Sequence, residues 1–361
     1  MAAFNDNLPV PPSINGILDV TTVLGFNHAG GLPPRESLTS LAARARRGLI
    51  QPPPEIIHGL LHRGCKMLLG GTSKSCKSWT MLEVAMAVAG GALWWGFSTT
   101  KAKVLYINFE LQDWSLMKRV KALGLEMGME GRFSEPAMEN IDVWNLRGHS
   151  TDVALLLPQL IESIKSDGYG LIIIDPLYKM LGATRDENDA ASMGDVFNSL
   201  ESLAQASGAA VMISHHYAKG NAAVKTPQDR VSGSGVMARD PDSLVMLTPH
   251  DEEDTYVVEF VLRHHAQPPP FCVKWVFPMM RKQESADPGD VRGHGGASKK
   301  LTANDVLSVI GDRLVVKSEL CKELQEKYGV SRPTSNRRVN ELEDQGVLIY
   351  SNGFLKWKET K

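Results

Sequence analysis

The chain is 361 residues long and 43% hydrophobic, with a formal net charge of −2. That is enough apolar material for a large core plus a smaller second domain, so two domains are expected. It has no amino-terminal hydrophobic leader and no apolar run near the ~18 residues of a membrane helix, which excludes a spanning segment and points to a soluble, cytoplasmic chain. Its four cysteines, Cys65, Cys76, Cys272 and Cys321, show no C-x-x-C pairing and no Cys/His ligand spacing. They speak for a reducing compartment and against structural zinc.

Residues 1 to 50 carry several prolines and glycines, no sustained period and a closing Ala-Arg-Ala-Arg-Arg-Gly. This is the composition of a mobile arm able to dock on a neighbouring subunit. A Pro-rich tract, Gln51 to Pro54, opens the main domain, which is set at residues 51 to 283, and Glu55 to His62 is expected as a short helix or turn. Met67-Leu68-Leu69 then has the apolar character of a buried parallel strand, and Trp79 to Val88 that of a helix apolar on nearly every side.

Between that strand and helix, Gly70-Gly-Thr-Ser-Lys-Ser-Cys-Lys-Ser-Trp79 has the spacing of a phosphate-binding loop, G-x-x-x-x-G-K-[ST]. The candidate nucleotide-binding set is therefore Gly71, Thr72, Ser73, Lys74, Ser75, Cys76, Lys77, Ser78 and Trp79. Lys77 is expected on the β/γ phosphates of a nucleoside triphosphate, and Ser78 on Mg²⁺. Cys76 stands where the second glycine belongs, so its Cβ narrows the space in which amides close on phosphate. Next to Lys77 and a helix amino terminus, Cys76 is either a low-pKa, redox-sensitive thiol or a buried inert one.

Leu171 to Asp175 is a continuous apolar strand ending in a carboxylate, the second expected Mg²⁺ ligand. Val104 to Phe109 is another strand, followed by Glu110, which can orient or deprotonate an attacking water. Ala209 to Ser214 ends in His215 and His216. Several strands with polar groups at one end describe the crevice edge of a mainly parallel α/β sheet. One of the two histidines is expected to sense the terminal phosphate.

These residues resemble the RecA-type ATPases and, within them, the RepA-like hexameric helicase branch of the AAA-type ATPases. The resemblance covers about residues 45 to 280 and rests on GTSKSCKSW, VLYINFE, LIIIDPLYK, VMISHH and GSGVMARDPDSLVML. It implies an ATP-hydrolysing, DNA-associated motor of plasmids, phages or other mobile elements that works as a homo-oligomer, a hexamer in the family. It implies Glu110 as the catalytic base, Lys77 and Ser78 on phosphate and Mg²⁺, Asp175 as the Walker B acid, and His215 or His216 as sensor. It also implies an arginine finger reaching a neighbouring subunit. Ser232 stands where that arginine is expected, which leaves Arg230 and Arg239 as candidates. Glu55 to His62 would lie beside the adenine. The segment from Tyr217 to Arg230, with Lys219 and Lys225, and the segment after Asp175 through Arg185 correspond to channel loops that grip single-stranded DNA.

Ser243 to Thr248, Tyr256 to Leu262 and Phe271 to Phe277 are expected as further strands. The adjacent His264 and His265 would face opposite ways, which argues against their sharing a metal. Residues 284 to 300 have linker composition. From Lys299 onward 12 Lys/Arg face 9 Asp/Glu. Helices at 303 to 310, 317 to 328 and 332 to 345, then strands at 347 to 350 and 354 to 357, spell a winged helix-turn-helix over residues 301 to 361. Its third helix would offer Arg332, Ser335, Asn336, Arg337 and Arg338 to duplex DNA, while Val339 and Leu342 pack inward. A second reading of the whole chain is a nucleotide-gated DNA-binding regulator with slow or no turnover.

Overall fold

The computed structural model describes residues 35–149, 153–164, 167–181, 189–216, 235–291, 301–330, 332–351 and 353–358. Lys219, Lys225, Arg230 and Arg185 lie outside the described residues. The chain divides into a unit ending at Pro52 and a larger one from Pro53 to Lys361. In the first, Leu38–Arg46 forms helix α1, whose Ser37 cap accepts from the Ser40 amide at 3.2 Å. A helix within the expected arm is a correction. Ala, Leu and Arg favour the helix and Ser37 supplies its start, although none of its residues is buried.

The larger unit opens with β1 (Glu55–Ile57) and β2 (Leu61–His62), an antiparallel pair in place of the expected short helix or turn. The β-branched Ile56 and Ile57 favour extended backbone, and Gly59 at φ 74° reverses the chain. There follow β3 (Lys66–Gly71), α2 (Lys77–Gly90), β4 (Val104–Asn108), α3 (Asp113–Met129), β5 (Ile141–Asn145), α4 (Val153–Ile164) and β6 (Leu171–Asp175). Then come α5 (Ala190–Ser207), β7 (Ala210–His216), α6 (Val236–Arg239), β8 (Ser243–Pro249), β9 (Thr255–Leu262), β10 (Phe271–Val276) and β11 (Met279–Lys282).

Among the described residues nine of these strands make one sheet, in the order β11-β10-β9-β8-β3-β7-β6-β4-β5. From β8 through β5 neighbouring strands run parallel, whereas β9, β10 and β11 add antiparallel ladders on the other side. Alternation along the strands assigns the two faces. Met67, Leu69, Tyr106, Ile173 and Met212 pack with α2 and α3, while Leu68, Ile107, Ile174, Val211 and Ile213 pack with α4 and α5. This is a mainly parallel α/β core of RecA-like type. None of the described helices is long and apolar enough to cross a membrane.

Residues 284–291, read from sequence as linker, include Ala286, which packs against Val257 and Cys272. Beyond them α7 (Ala303–Ile310), α8 (Lys317–Tyr328) and α9 (Arg332–Asp344) precede β12 (Leu348–Ser351) and β13 (Phe354–Trp357). They enclose a core of their own built on Val306, Ile310, Leu320, Leu324, Val339, Leu342 and Leu355. Thr302 and Asp305 close the start of α7 with a reciprocal capping box.

One buried acid makes stability depend on pH. Glu83 of α2 is 1% exposed and meets Arg132 at 3.3 Å. Burial pushes its carboxyl up to about 7 against the partial opposition of Arg132. A group whose pKa is raised on folding contributes stability that is complete below its unfolded value and gone above its folded one. Stability should therefore fall between about pH 4.5 and 7 by roughly 3 kcal/mol from this residue. Glu83→Gln is expected to flatten that slope in urea titrations, and an unchanged slope would refute it.

Candidate nucleotide site

Register brings the carboxyl ends of the central strands together. Gly71 of β3 pairs with His216 of β7, and Asn108 of β4 pairs with Asp175 of β6. The chain leaves β3 through the 72–76 loop and enters α2 at Lys77. The first amide committed to the ladder of α2 is that of Thr80, bonded to the Cys76 carbonyl at 3.0 Å. The N–H groups before it are those a helix start leaves for an anion. A Cβ on Gly71 would lie 2.5 Å from Ser75 Oγ and 3.3 Å from Leu247 Cβ, so the loop opens on a glycine for want of space.

Lys77 is 7% exposed. Its ammonium donates to the carbonyls of Gly71 (3.1 Å) and Thr72 (2.7 Å) and to Nδ1 of His216 (3.0 Å). Burial lowers its pKa to about 8, opposed by the carboxylates of Asp175 and Glu110. Both acids thus lie within electrostatic reach of the ammonium. Asp175, 2% exposed, accepts from Tyr106 Oη at 2.7 Å and from Ser214 Oγ at 2.6 Å. Glu110 is exposed just past β4. The buried Asn108 side chain accepts from the amides of Glu110 and Leu111, at 3.2 and 2.8 Å, and donates to Asn145 Oδ1 at 2.8 Å.

The adjacent histidines separate by parity. His216 shares its face with Ser214 and Met212, reaches Lys77, and lies 6.2 Å, ring to ring, from Tyr178. Accepting from an ammonium at Nδ1 fixes its neutral form with the proton on Nε2. Burial first, and Lys77 second, keep its pKa below the ordinary histidine value. His215 faces the other side of the sheet with Val211 and Ile213, and burial lowers its pKa to about 4. Its Nδ1 is buried with no hydrogen-bond partner among the described residues.

Cys76 is half-buried at φ 57°, ψ 20°, a left-handed conformation that explains why glycine belongs there and costs a side-chain residue about 1 kcal/mol. Burial pushes its thiol up to about 11, with Arg119 and Lys77 opposing only weakly. Of the two sequence readings, partial burial and a raised pKa favour the inert thiol. Thr72 and Ser78 are half-buried, Ser75 is buried, and Ser73 and Lys74 are exposed. Trp79 packs 5.3 Å from Trp275 and 5.6 Å from Phe277, ring to ring, with the Arg119 guanidinium 4.9 Å over its ring. Phe277 is 64% exposed, so one side of this aromatic group is open.

Arg239 is exposed and lies at the opposite end of β3 from the loop, since its neighbour Asp240 accepts from Lys66 at 2.5 Å. It therefore does not join the Lys77 cluster of its own chain. Arg332 and Arg337 are exposed on α9, whereas Asn336 and Arg338 are half-buried and Arg338 meets Glu341 at 2.9 Å. Sequence reasoning missed Tyr106, Ser214, Asn108, Arg119 and Phe277. A hydroxyl two residues before His216, in an otherwise apolar strand, was the available signal for Ser214.

Residues 32–222, more than half of the chain, match the family model of the AAA domain. The chain belongs to that family. No curated protein matches it. Its main domain is accordingly a P-loop ATPase domain of the RecA/AAA type, and the loop at Gly71 to Ser78 is where such a domain binds nucleotide.

Proposed function

We propose that this chain is an oligomeric, ATP-hydrolysing motor acting on DNA, of the RepA-like helicase kind, with a winged helix at residues 301–361. The observation that carries the reading is the Lys77–His216 contact of 3.0 Å, which ties the phosphate loop to the end of β7. The sequence that follows holds Lys219 and Lys225, the expected single-strand contacts. Lys77 exchanges its carbonyl partners for phosphate oxygens, and His216 registers that exchange and relays it to the following segment. Glu110, aimed by Asn108, positions and deprotonates water. A hydroxyl and a carboxylate, Ser78 and Asp175, form the hard-oxygen set that suits Mg²⁺, which when bound supplies neutralisation of phosphate charge. Trp79, Arg119 and Phe277 offer stacking faces for the base, and an arginine from a neighbouring subunit, Arg230 or Arg239, completes the charge.

The basic face of α9 supports duplex contact by the carboxy-terminal domain. An Arg332→Ala, Arg337→Ala chain should bind duplex more weakly, with the slope of log affinity against log salt reduced by about 1 for each arginine–phosphate pair removed. An unchanged slope would assign α9 to protein contacts.

ATP-driven, directional displacement of a strand from a forked duplex tests the motor. Its absence, together with sequence-specific duplex binding that survives Lys77→Ala, would favour the regulator reading.

A further inference from the structure

The β1–β2 hairpin and the β9–β10 turn, about as far from each other in sequence as the main domain allows, place Glu55, His62 and His265 in one cluster. Their ligand atoms all lie within 4.8 Å of one another. Glu55 Oε1 is 4.0 Å from His62 Nε2 and 3.9 Å from His265 Nδ1. Both histidine side chains are nearly buried, at 11% and 12% exposure, while Glu55 at 29% leaves an approach from solvent.

Each group is prepared by what surrounds it. His62 Nδ1 lies 2.7 Å from the Pro53 carbonyl, which can only accept, so the ring proton is on Nδ1 and the Nε2 lone pair faces Glu55. A histidine whose other nitrogen donates to a backbone carbonyl is the orienting arrangement of metal-ligating imidazoles. Glu55 Oε2 accepts from the Gly59 amide at 2.8 Å, which leaves Oε1 turned toward the two rings. His265 is the group without an explanation. Its Nε2 is buried with no hydrogen-bond partner among the described residues, and its Nδ1 comes no nearer than 3.9 Å to Glu55. Buried polar atoms left so are uncommon and often mark an ion or water.

We propose that Glu55, His62 and His265 bind a divalent transition ion of the zinc class, which staples the hairpin to the β9–β10 turn. Two imidazoles and one carboxylate suit such an ion, with water completing the set. Ligands at zinc distances stand about 3.3 Å apart, so the two pairs that include Glu55 must contract by about 0.7 Å or less and the two imidazoles by at most about 1.5 Å. The His62 and His265 rings are stacked at 4.6 Å and 15°, so the His265 ring must also turn about its Cβ–Cγ bond to bring Nδ1 onto the ion. No hydrogen bond among the described residues holds that ring where it is. The site uses no cysteine and no short motif, which is why Cys/His spacing did not reveal it. A neighbouring cluster, Cys65, Asp242 and His264, is the competitor. It is weaker because burial pushes the Cys65 thiol up to about 12, and Asp242 is already engaged by Arg263 at 3.1 Å and by the Lys66 amide at 2.9 Å.

The test uses the full-length, tag-free chain without nucleotide, equilibrated with equimolar Zn²⁺, dialysed and assayed for metal by mass spectrometry. Wild type should retain about one zinc per chain and melt about 5 °C higher than the chelator-treated protein. His265→Asn and Glu55→Gln should each weaken zinc binding by about 100-fold or more and abolish the thermal shift, while Cys65→Ser changes neither. Co²⁺ in place of Zn²⁺ should give tetrahedral ligand-field bands without a thiolate charge-transfer band. Substoichiometric zinc in wild type, zinc retained by both variants, or a cobalt–thiolate band would overturn the assignment. Glu55→Gln keeps the hydrogen-bonding shape of the side chain, so the test survives if His265→Asn does not fold.

Discussion

Lys77→Ala should reduce ATP turnover by about 100- to 1000-fold, the loss that follows removal of one well-placed charged donor from a transition state. The ammonium is held by two loop carbonyls and by His216, so the variant removes both the phosphate contact and the link to β7. Its effect on stability should be of another kind. Burial lowers the Lys77 pKa to about 8, well below its unfolded value of 10.5. A group depressed on folding contributes stability that is complete above its unfolded pKa and lost as pH falls through the folded one. Wild-type stability should therefore gain a rising component between about pH 8 and 10.5, which Lys77→Ala lacks, as equilibrium denaturation over that range would report. A variant that lost activity by unfolding, with its thermal midpoint lowered at pH 7, would contradict this account.

Asp175→Asn should be nearly as damaging to turnover, by about 100-fold or more, because it takes away the negative charge the reaction needs beside the loop. The fold should tolerate it. Tyr106 and Ser214 each donate to one carboxylate oxygen, and an amide keeps one acceptor while its NH₂ can donate to the other hydroxyl. A cost of about 1–2 kcal/mol is expected from the rearrangement, measurable by urea unfolding. Asp175→Ala strands both buried hydroxyls and should cost more. Equal turnover by Asp175→Asn and wild type would remove Asp175 from the mechanism.

Much of the phosphate loop could be read in the sequence because its chemistry is contiguous. Ten residues, with an apolar strand before and a helix after, carry the whole signal. Leu171 to Asp175 was equally legible, since a buried parallel strand reads as an unbroken apolar run. What supports these residues was not. Tyr106 and Ser214 reach Asp175 through strand parity and the pairing of β6 with β4 and β7, while His216 reaches Lys77 through the pairing of β3 with β7, and a choice between two adjacent histidines needs that register. Asn108 acts through backbone amides two and three residues ahead, a contact with no spacing signature. The Glu55–His62 hairpin was missed because its two strands are shorter than any periodicity can expose, and β5 because an edge strand is half exposed throughout. The cluster of Glu55, His62 and His265 is the extreme case, assembled from two turns distant in sequence.

Coupling of hydrolysis to DNA is read from steady-state ATP turnover of wild type and Glu110→Gln, each with and without single-stranded DNA at fixed salt. Wild type should hydrolyse ATP and be stimulated by the strand, while Glu110→Gln should retain ATP binding and lose about 100-fold or more in turnover under both conditions. Tight ATP binding by wild type with negligible turnover, or equal turnover by the two proteins, would contradict the account.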